Sequence, residues 1–462
     1  MKINTNISAI ISNKELNKTQ GNLRKSLERL SSGYKLNHAK DDTAGIAISN
    51  RIKSQIRGLD KAGQNASDGM SVLDTAEGAL DAIHQILQRM NELAVQAAND
   101  TNTNTDRAAI QSEINALSKE IDRVSKDTEF NMQNLLDGNL SRRAYSDTDG
   151  VSVSYMSTDM PVGKYQFSVT EDPKHAEYTG GAIDTGAFAA GVTEEMAGVI
   201  TINDYTLNVP KGATLDEVKN IIQEAANNTN ALLDVSDPSK ISISSKAYGD
   251  NATVKIGGNE NLLAALGMSA TEVSGSDVKV NLVTGEPSFD ASATYTTDGN
   301  LVNVKAKNGF ELRFFVEGGT ESSTATLDVT NYGMMSVHVG ANENQEIMVD
   351  LPEVTTKTLG LENLNVMTFA LASDGINKIG QALDFVSLTR SRLGAYQNRM
   401  EYSKSNIDVS SENLTSALSV IMDVDMAEEM TEYTQQNILS QAGISMLSQA
   451  NERPENVLQL LQ

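Results

Sequence analysis

Residues 52–94 read IKSQIRGLDKAGQNASDGMSVLDTAEGALDAIHQILQRMNELA, and this stretch decides the fold class. An apolar residue stands at every seventh position: Ile52, Leu59, Ala66, Leu73, Leu80, Leu87 and Ala94. Such a seam predicts one helix about 60 Å long, because each helical residue rises about 1.5 Å. The companion apolar position drifts by one residue, from Ile56 and Met70 to Ala76, Ile83 and Met90. This drift favours a multi-helix bundle over a two-stranded coiled coil.

Two further segments supply partners for this helix. The polar run Asn99–Thr105 predicts a turn, and the apolar residues after it predict an antiparallel helix: Ile110, Ile114, Leu117, Ile121 and Val124. Near the other end of the chain, another seven-residue step carries Ile379, Val386, Leu393, Met400, Ile407, Leu414 and Ile421. Three long helices can therefore share a core. The polar companions Arg390, Gln397 and Lys404 make one flank of the last helix a candidate contact between subunits.

The stretch between the helical ends has a different composition. Residues 1–160 and 353–453 contain no proline, whereas about 141–355 is rich in Gly, Thr, Ser and Asp. Short runs typical of strands occur there, among them Val151–Tyr155 and Tyr165–Val169. The sequence therefore predicts a multidomain protein, in which the N- and C-terminal segments form a long α-helical bundle around a β-rich or α+β central insert.

A small α+β module is predicted within the insert, at about 197–270. Thr214 and Glu217 have the spacing of a capping box ahead of an apolar run, which predicts a helix from about 215 to 227. Val199–Asn203 and Ile241–Ser245 are expected to form strands on either side of it.

Composition excludes several functions. The formal net charge of −24 argues against nucleic-acid binding, since phosphates require a basic face. Cysteine is absent and the 4 histidines stand far apart, so we expect no catalytic, cofactor-binding or metal site. Asp41 and Asp42 are interpreted as turn and capping groups before the helix at Ile46. No long apolar run or cleavable signal is found, so we expect no membrane insertion and no classical secretion.

The extreme ends carry weaker apolar seams, which we predict to serve self-assembly: Leu16, Leu23, Leu27 and Leu30 at one end, and Met430, Tyr433, Ile444 and Leu447 at the other. Residues 1–60 hold 11 Lys or Arg against 5 Asp or Glu, whereas the last stretch is acidic around 423–432. Opposite charges can therefore favour pairing of the two ends. Because each helix is short of partners, we expect 1–34 and 426–462 to be disordered in the monomer and to fold on association.

Long motifs at both ends resemble the signatures of bacterial flagellins. Residues 30–49, LSSGYKLNHAKDDTAGIAIS, are similar to the N-terminal signature. Residues 412–417 (ENLTSA), 422–429 (MDVDMAEE) and 439–451 (LSQAGISMLSQAN) are similar to the C-terminal one. The resemblance covers roughly 1–140 and 365–462 and implies a non-enzymatic subunit that polymerises into the flagellar filament for motility.

The resemblance also implies a division into layers. Residues 1–43 and 421–462 are expected to form the inner filament core, and 44–175 with 360–420 a helical bundle with a β-hairpin in the outer core. Residues 176–359 are expected to form a variable insert exposed on the surface.

The partners implied by the resemblance are other copies of the chain in a helical homopolymer, the flagellar export apparatus, a flagellin chaperone at the C-terminal helices, and hook-associated and cap proteins. The expected location is secreted, in the extracellular flagellum.

The segment Gln88–Gln96 resembles the part of flagellins that the Toll-like innate flagellin receptor of the host binds, together with Ile110–Glu113 on the next helix. The resemblance assigns receptor contacts to Arg89, Leu93 and Glu113, with Gln88, Glu92, Gln96 and Ile110 around them. Arg89 and Leu93 are four residues apart, which predicts one helical face. Asn91 and Leu117 depart from the pattern, where receptor-activating members commonly carry arginine.

Three other functions compete with a filament subunit. A hook-filament junction protein shares the terminal helices, but the near-complete signatures and the long insert favour flagellin. An enzyme within the insert is disfavoured because the chain has no HExxH motif. A host-surface adhesin displayed by the insert is neither supported nor excluded by the sequence.

Overall fold

The computed structural model of the chain describes residues 5–157, 160–234, 237, 239–285, 288–307, 310–320, 323–330 and 332–459. Its helices are α1 Ile7–Ser32, α2 Thr43–Ala97, α3 Asn104–Asp127, α4 Leu215–Asn228, α5 Glu260–Ala265, α6 Phe369–Met422 and α7 Met426–Gln459. The predicted long helix is α2, and its two predicted partners are α3 and α6. The predicted turn is also confirmed, because Thr103 and Asp106 form a capping box at the start of α3.

The strands all lie between α3 and α6. They are β1 Glu129–Phe130, β2 Gln133–Asn134, β3 Ala144–Ser146, β4 Val151–Met156, β5 Gly163–Glu171, β6 His175–Thr179, β7 Gly198–Ile202, β8 Tyr205–Val209, β9 Ala231–Asp234, β10 Ser242–Tyr248, β11 Thr253–Gly258, β12 Thr271–Ser274, β13 Lys279–Leu282, β14 Thr294–Asp298, β15 Leu301–Lys305, β16 Glu311–Val316, β17 Thr324–Val329, β18 Met335–His338 and β19 Glu346–Val349. The predicted architecture of helical ends around a β-rich insert is therefore confirmed.

Two four-stranded sheets between α3 and α6 share one apolar core. Their strand orders are β13-β5-β17-β3 and β14-β15-β16-β4. Phe167 of the first sheet packs on Phe314 of the second, with ring centroids 4.5 Å apart. Along β16 buried and half-buried residues alternate, as they do on a strand with one face toward a core.

The α+β module has a core of its own. Its sheets have the orders β6-β10-β9 and β12-β11-β7-β8, and α4 and α5 pack against them. The predicted helix is confirmed as α4, with Thr214 and Glu217 forming the capping box. Asn203 and Asp204 connect β7 to β8 with φ of 50° and 64°, the left-handed pair that a tight hairpin requires.

Within the chain, the residues of 69–337 and 348–399 form one compact unit, which holds the insert apart from 338–347, together with α3 and parts of α2 and α6. Leu73, Leu80 and Leu87 of the predicted seam are fully buried here, as is Ile114 of α3. Arg390 of α6 contacts Glu77 and Asp81 of α2 at 2.7 and 2.9 Å, and Gln397 Nε2 donates to Asp74 at 2.8 Å.

The prediction that Arg390, Gln397 and Lys404 form a contact between subunits is therefore wrong. Arg390 and Gln397 are engaged by carboxylates of α2 in the same chain, and Lys404 Nζ lies 2.9 Å from Ser67 Oγ. Polar complementarity between α2 and α6 explains the correction, because each of these three side chains on α6 meets a polar partner on α2.

The residues of 1–68, 338–347 and 400–462 form a second compact unit, described here for 5–68, 338–347 and 400–459. The boundaries between these two units do not coincide with the predicted domain boundaries. The predicted boundaries stay a prediction. In this unit Ala66, Met400 and Ile407 are buried, whereas Ile52 and Leu414 of the same seams are only half-buried. The segment 338–347 packs near α2, where Asn65 Nδ2 donates to the His338 carbonyl at 3.2 Å.

Candidate functional site

The two terminal helices, α1 and α7, pack against each other in antiparallel orientation. Near one end, Asn6 Nδ2 donates to the Ala450 carbonyl at 2.8 Å, and near the other Arg29 contacts Glu429 at 3.3 Å. Between them, Leu16 lies against Gly443. The predicted pairing of basic and acidic ends therefore occurs within one chain, and neither helix is alone. The predicted disorder of these ends in the monomer stays a prediction, and its outermost residues, 1–4 and 460–462, lie outside the described residues.

The less exposed positions of both helices repeat at steps of three and four residues, as in a coiled-coil seam. On α1 they include Ala9, Ser12, Leu16, Thr19, Leu23, Ser26 and Leu30, and on α7 they include Glu429, Tyr433, Gln436, Ser440, Gly443, Leu447 and Ala450. Of the predicted assembly residues, Leu16 is buried, and Leu23, Leu30, Tyr433 and Leu447 are half-buried. Many seam positions are polar or small, so this helix pair buries little apolar surface.

The remaining predicted assembly residues face solvent. Leu27, Met430 and Ile444 are 55%, 49% and 55% exposed. Other large apolar side chains are exposed on the same two helices: Ile7, Ile10, Ile11, Ile438, Leu439 and Met446. Met430, Ile438 and Leu439 line one shallow groove on α7. Contiguous exposed apolar surface of this kind is characteristic of an interaction surface.

The linkers that join the terminal helices to the long helices are bonded to each other. Lys35 N–H donates to the Met422 carbonyl at 2.6 Å, and Val424 N–H donates to the Gly33 carbonyl at 3.0 Å. Gly33 ends α1 in the left-handed conformation, with φ of 73°. We call the pairing of 33–35 with 422–424 the linker clamp.

The adjacent carboxylates of the first linker have structural roles, as expected from the sequence. Asp42 Oδ1 accepts from the N–H groups of Ala44 and Gly45, both at 3.0 Å, at the start of α2. Asp41 accepts from His38 N–H at 3.1 Å, and this hydrogen bond lowers the pKa of the Asp41 carboxyl.

The predicted receptor contacts lie on α2 and α3. Arg89 Nη2 and Nε donate to Glu113 Oε1 at 2.9 and 3.1 Å, and Arg89 Nη1 donates to Glu92 at 3.1 Å. The turn between the helices brings Arg89 and Glu113 together, as its position in the sequence predicts. The hydrogen bonds to Glu113, and then to Glu92, raise the pKa of Arg89.

The predicted apolar members of this group are not on the surface. Leu93 is 2% exposed and Ile110 is 7% exposed, so both belong to the bundle core. Leu93 is therefore not an accessible neighbour of Arg89, because its side chain lies in the core of the bundle. Gln88 and Gln96 are exposed. We call the exposed polar set Arg89, Glu92, Gln96 and Glu113, with Gln88 beside it, the α2–α3 patch.

The described residues show neither a metal-binding cluster nor a membrane-spanning helix. Among the parts of the chain that the structure describes, no group of three or more His, Asp or Glu residues is arranged to hold a metal ion. Within those same ranges, no helix is both long and apolar enough to cross a membrane.

Comparison with known proteins decides the family. Residues 3–141 match the model of the bacterial flagellin N-terminal helical region, and 376–461 match that of the C-terminal helical region. A flagellin of Clostridium tyrobutyricum is 33% identical over 98% of this chain and 100% of its own length. The chain belongs to the bacterial flagellin family. It is therefore a structural subunit of the flagellar filament and not an enzyme, as predicted.

A second flagellin agrees with the assignment. Flagellin D of Vibrio anguillarum is 31% identical over 100% of this chain and 99% of its own length. The solved structure of FliC from Burkholderia pseudomallei is 16% identical, covers 72% of this chain and 99% of that one, and superposes with a TM-score of 0.25. That superposition adds nothing to the family assignment.

Sequence reasoning missed the pairing of Arg29 with Glu429 and the linker clamp. A signal for the first was available, since Arg29 and Glu429 occupy the helix ends that adjoin the two linkers. The clamp consists of backbone hydrogen bonds, for which side-chain patterns carry no signal.

Proposed function

We propose that this flagellin polymerises into the extracellular filament through the outward faces of α1 and α7. The observation that carries the proposal is the exposed apolar set on these helices, which includes Leu27, Met430, Ile438 and Ile444. Each side chain is about half-exposed, so covering it in an assembly contributes on the order of 1 kcal/mol. The inner seam is partly polar, which leaves the outward faces as the main source of apolar burial.

The predicted layers follow from this proposal. Residues 1–43 and 421–462 form the inner filament core and fold fully on assembly, while 44–175 and 360–420 form the outer core. The insert, 176–359, faces solvent except at 338–347, which packs near α2. A helix pair with little buried apolar surface does not offset its ordering entropy alone, which supports folding coupled to association.

Export requires that the apolar faces be covered before assembly. We propose that the flagellar export apparatus carries the chain out of the cell and that a chaperone holds the C-terminal helices. The exposure of Met430, Ile438, Leu439 and Ile444 supports this proposal. Absence of chaperone affinity for residues 420–462 would contradict it. Hook-associated and cap proteins are the proposed neighbours at the two ends of the filament.

Recognition by the host's Toll-like flagellin receptor is proposed for the α2–α3 patch. Arg89 and Glu113 are exposed and held together by charge-assisted hydrogen bonds, which fixes the guanidinium plane on the surface. Filament assembly covers this patch in our proposal, so that the monomer is bound and the polymer is not.

The assembly proposal is tested by changing two apolar residues on the outward face of α7. Ile438→Gln with Leu439→Gln keeps good helix formers while removing apolar surface. We expect the critical concentration for polymerisation to rise roughly 10-fold or more. The matched control is Tyr295→Thr, which removes an exposed aromatic residue from β14 in the insert.

We expect the control to polymerise like the parent protein, with both variants retaining the parent's helical circular dichroism. Polymerisation of the double variant at the parent's critical concentration would show that this face makes no assembly contact.

A further inference from the structure

An ion pair lies at the edge of the α1–α7 seam, next to the linker clamp. Arg29 Nη1 is 3.3 Å from Glu429 Oε2, and the two side chains are 26% and 9% exposed. Arg29 stands in the last turn of α1 and Glu429 in the first turn of α7. Both charges therefore suit the dipoles of their helices.

The pair is partly buried, and one buried polar atom of each side chain lacks a hydrogen bond. Arg29 Nε and Glu429 Oε1 are buried and have no hydrogen-bond partner among the residues that the structure describes. A buried carboxylate is strongly destabilising once its partner is removed. Glu429 therefore tolerates only an arrangement of the helices that brings a cation to it.

Among registers that differ by whole heptads, the observed one meets that condition. Stepping back from Arg29 by heptads along α1 gives Asn22, Glu15 and Ser8, none of them basic. A slip by one heptad would leave Glu429 facing an amide, and a slip by two would place a second carboxylate beside it. The corresponding positions after Glu429 on α7, Gln436, Gly443 and Ala450, are uncharged.

The rest of the seam discriminates weakly between registers. Its small and polar residues, such as Thr19, Ser26 and Ser440, fit several alignments, because none has a unique shape or charge. In coiled coils, single buried polar or charged contacts are the features that specify register.

We propose that Arg29 and Glu429 are the specificity-determining pair that fixes the register of α1 on α7. Together with the linker clamp, the pair aligns the exposed apolar residues of both helices into one surface that other copies can bind. This proposal rests on the proposed assembly function, since register matters to polymerisation only if these faces make the contacts.

Charge reversal in the full-length chain tests the proposal. Arg29→Glu and Glu429→Arg alone each place like charges in the buried pair, and the double variant restores an opposite pair. We expect each single variant to raise the critical concentration at least 10-fold and the double variant to return within about 3-fold of the parent. The controls are Arg24→Glu and Glu428→Arg, which reverse exposed charges on the same two helices.

A cross-link reports register independently of polymerisation. The chain contains no cysteine, so introduced thiols are the only ones present. A Cβ at Gly443 would lie 3.8 Å from Leu16 Cβ, the mean separation in disulfides. Leu16→Cys with Gly443→Cys therefore traps the observed register, and Ala9→Cys with Gly443→Cys traps a slip of one heptad.

In the parent background, we expect a higher yield of disulfide from Leu16→Cys with Gly443→Cys than from Ala9→Cys with Gly443→Cys. Adding Arg29→Glu should lower the ratio of these two yields at least 10-fold. An unchanged ratio, single variants that polymerise like the controls, or a double variant no better than the singles would overturn the register proposal. Failure of the parent itself to polymerise would instead reject the assembly function, while the cross-link ratio would still test register.

Discussion

Arg89 and Leu93 were both predicted from the sequence to contact the receptor, but they differ in solvent exposure. Arg89 is exposed on the α2–α3 patch, whereas Leu93 is 2% exposed in the bundle core. Replacing either with alanine can weaken receptor binding, but for different physical reasons. The prediction is that Arg89→Ala affects binding alone and that Leu93→Ala affects the fold.

The expected sizes follow from the structure. Truncating an arginine that anchors an interface typically costs about 30-fold in affinity, and Arg89 is held for that role by Glu113 and Glu92. Truncating a fully buried leucine costs about 2–5 kcal/mol of folding stability, because a cavity remains. In a domain of this size, that loss lowers the melting temperature by roughly 5 °C or more.

The assay pairs receptor affinity of the monomer, measured by surface plasmon resonance, with thermal melting followed by circular dichroism. We expect Arg89→Ala to melt like the parent and bind weakly, and Leu93→Ala to melt early. Lys240→Ala, in the distant insert, is the control and should change neither quantity. Binding of Arg89→Ala at the parent's affinity would refute the role of the patch, and melting of Leu93→Ala at the parent's temperature would refute the core placement.

Three further predictions concern stability. Thr103→Ala removes the capping box of α3 and should cost about 1 kcal/mol, seen as earlier melting of the helical signal, whereas Thr101→Ala should not. Gly33→Val forces a β-branched residue into φ of 73° and should weaken the linker clamp by about 1–2 kcal/mol, measured as faster amide exchange at Val424. Burial raises the pKa of Asp350 despite the hydrogen bond from Arg142 N–H, so its ionisation lowers stability as pH rises through that pKa. Asp350→Asn should therefore gain melting temperature relative to the parent as pH rises above about 4, the ordinary pKa of an aspartate, and a constant difference would contradict this.

Periodicity predicted the helices well because each long helix buries one face. The seam through Leu73, Leu80 and Leu87 and the capping box at Thr214 both follow from local chemistry. Contacts between segments that lie far apart in the sequence were harder to predict. The pattern of α6 alone suggested an unpaired flank at Arg390, because the carboxylate of Glu77 that meets it is more than 300 residues away.

The receptor residues show the same limit. A four-residue step places Arg89 and Leu93 on neighbouring parts of one helix face, but it does not say where the edge of the core falls. The position of that edge depends on how the helices pack together. The structure is needed to show that Leu93 and Ile110 lie on the buried side of it. The terminal helices were predicted as amphipathic, but which apolar residues face the partner helix and which face solvent depends on their register.

Assembly through the terminal helices is tested most directly by electron microscopy with helical reconstruction, applied to the purified full-length chain after seeding. Our account predicts filaments of uniform diameter whose innermost density is formed by α1 and α7, and no filaments from a variant restricted to residues 35–425. Ordered filaments from that truncated variant, or a full-length filament in which α1 and α7 make no contacts between copies, would contradict it.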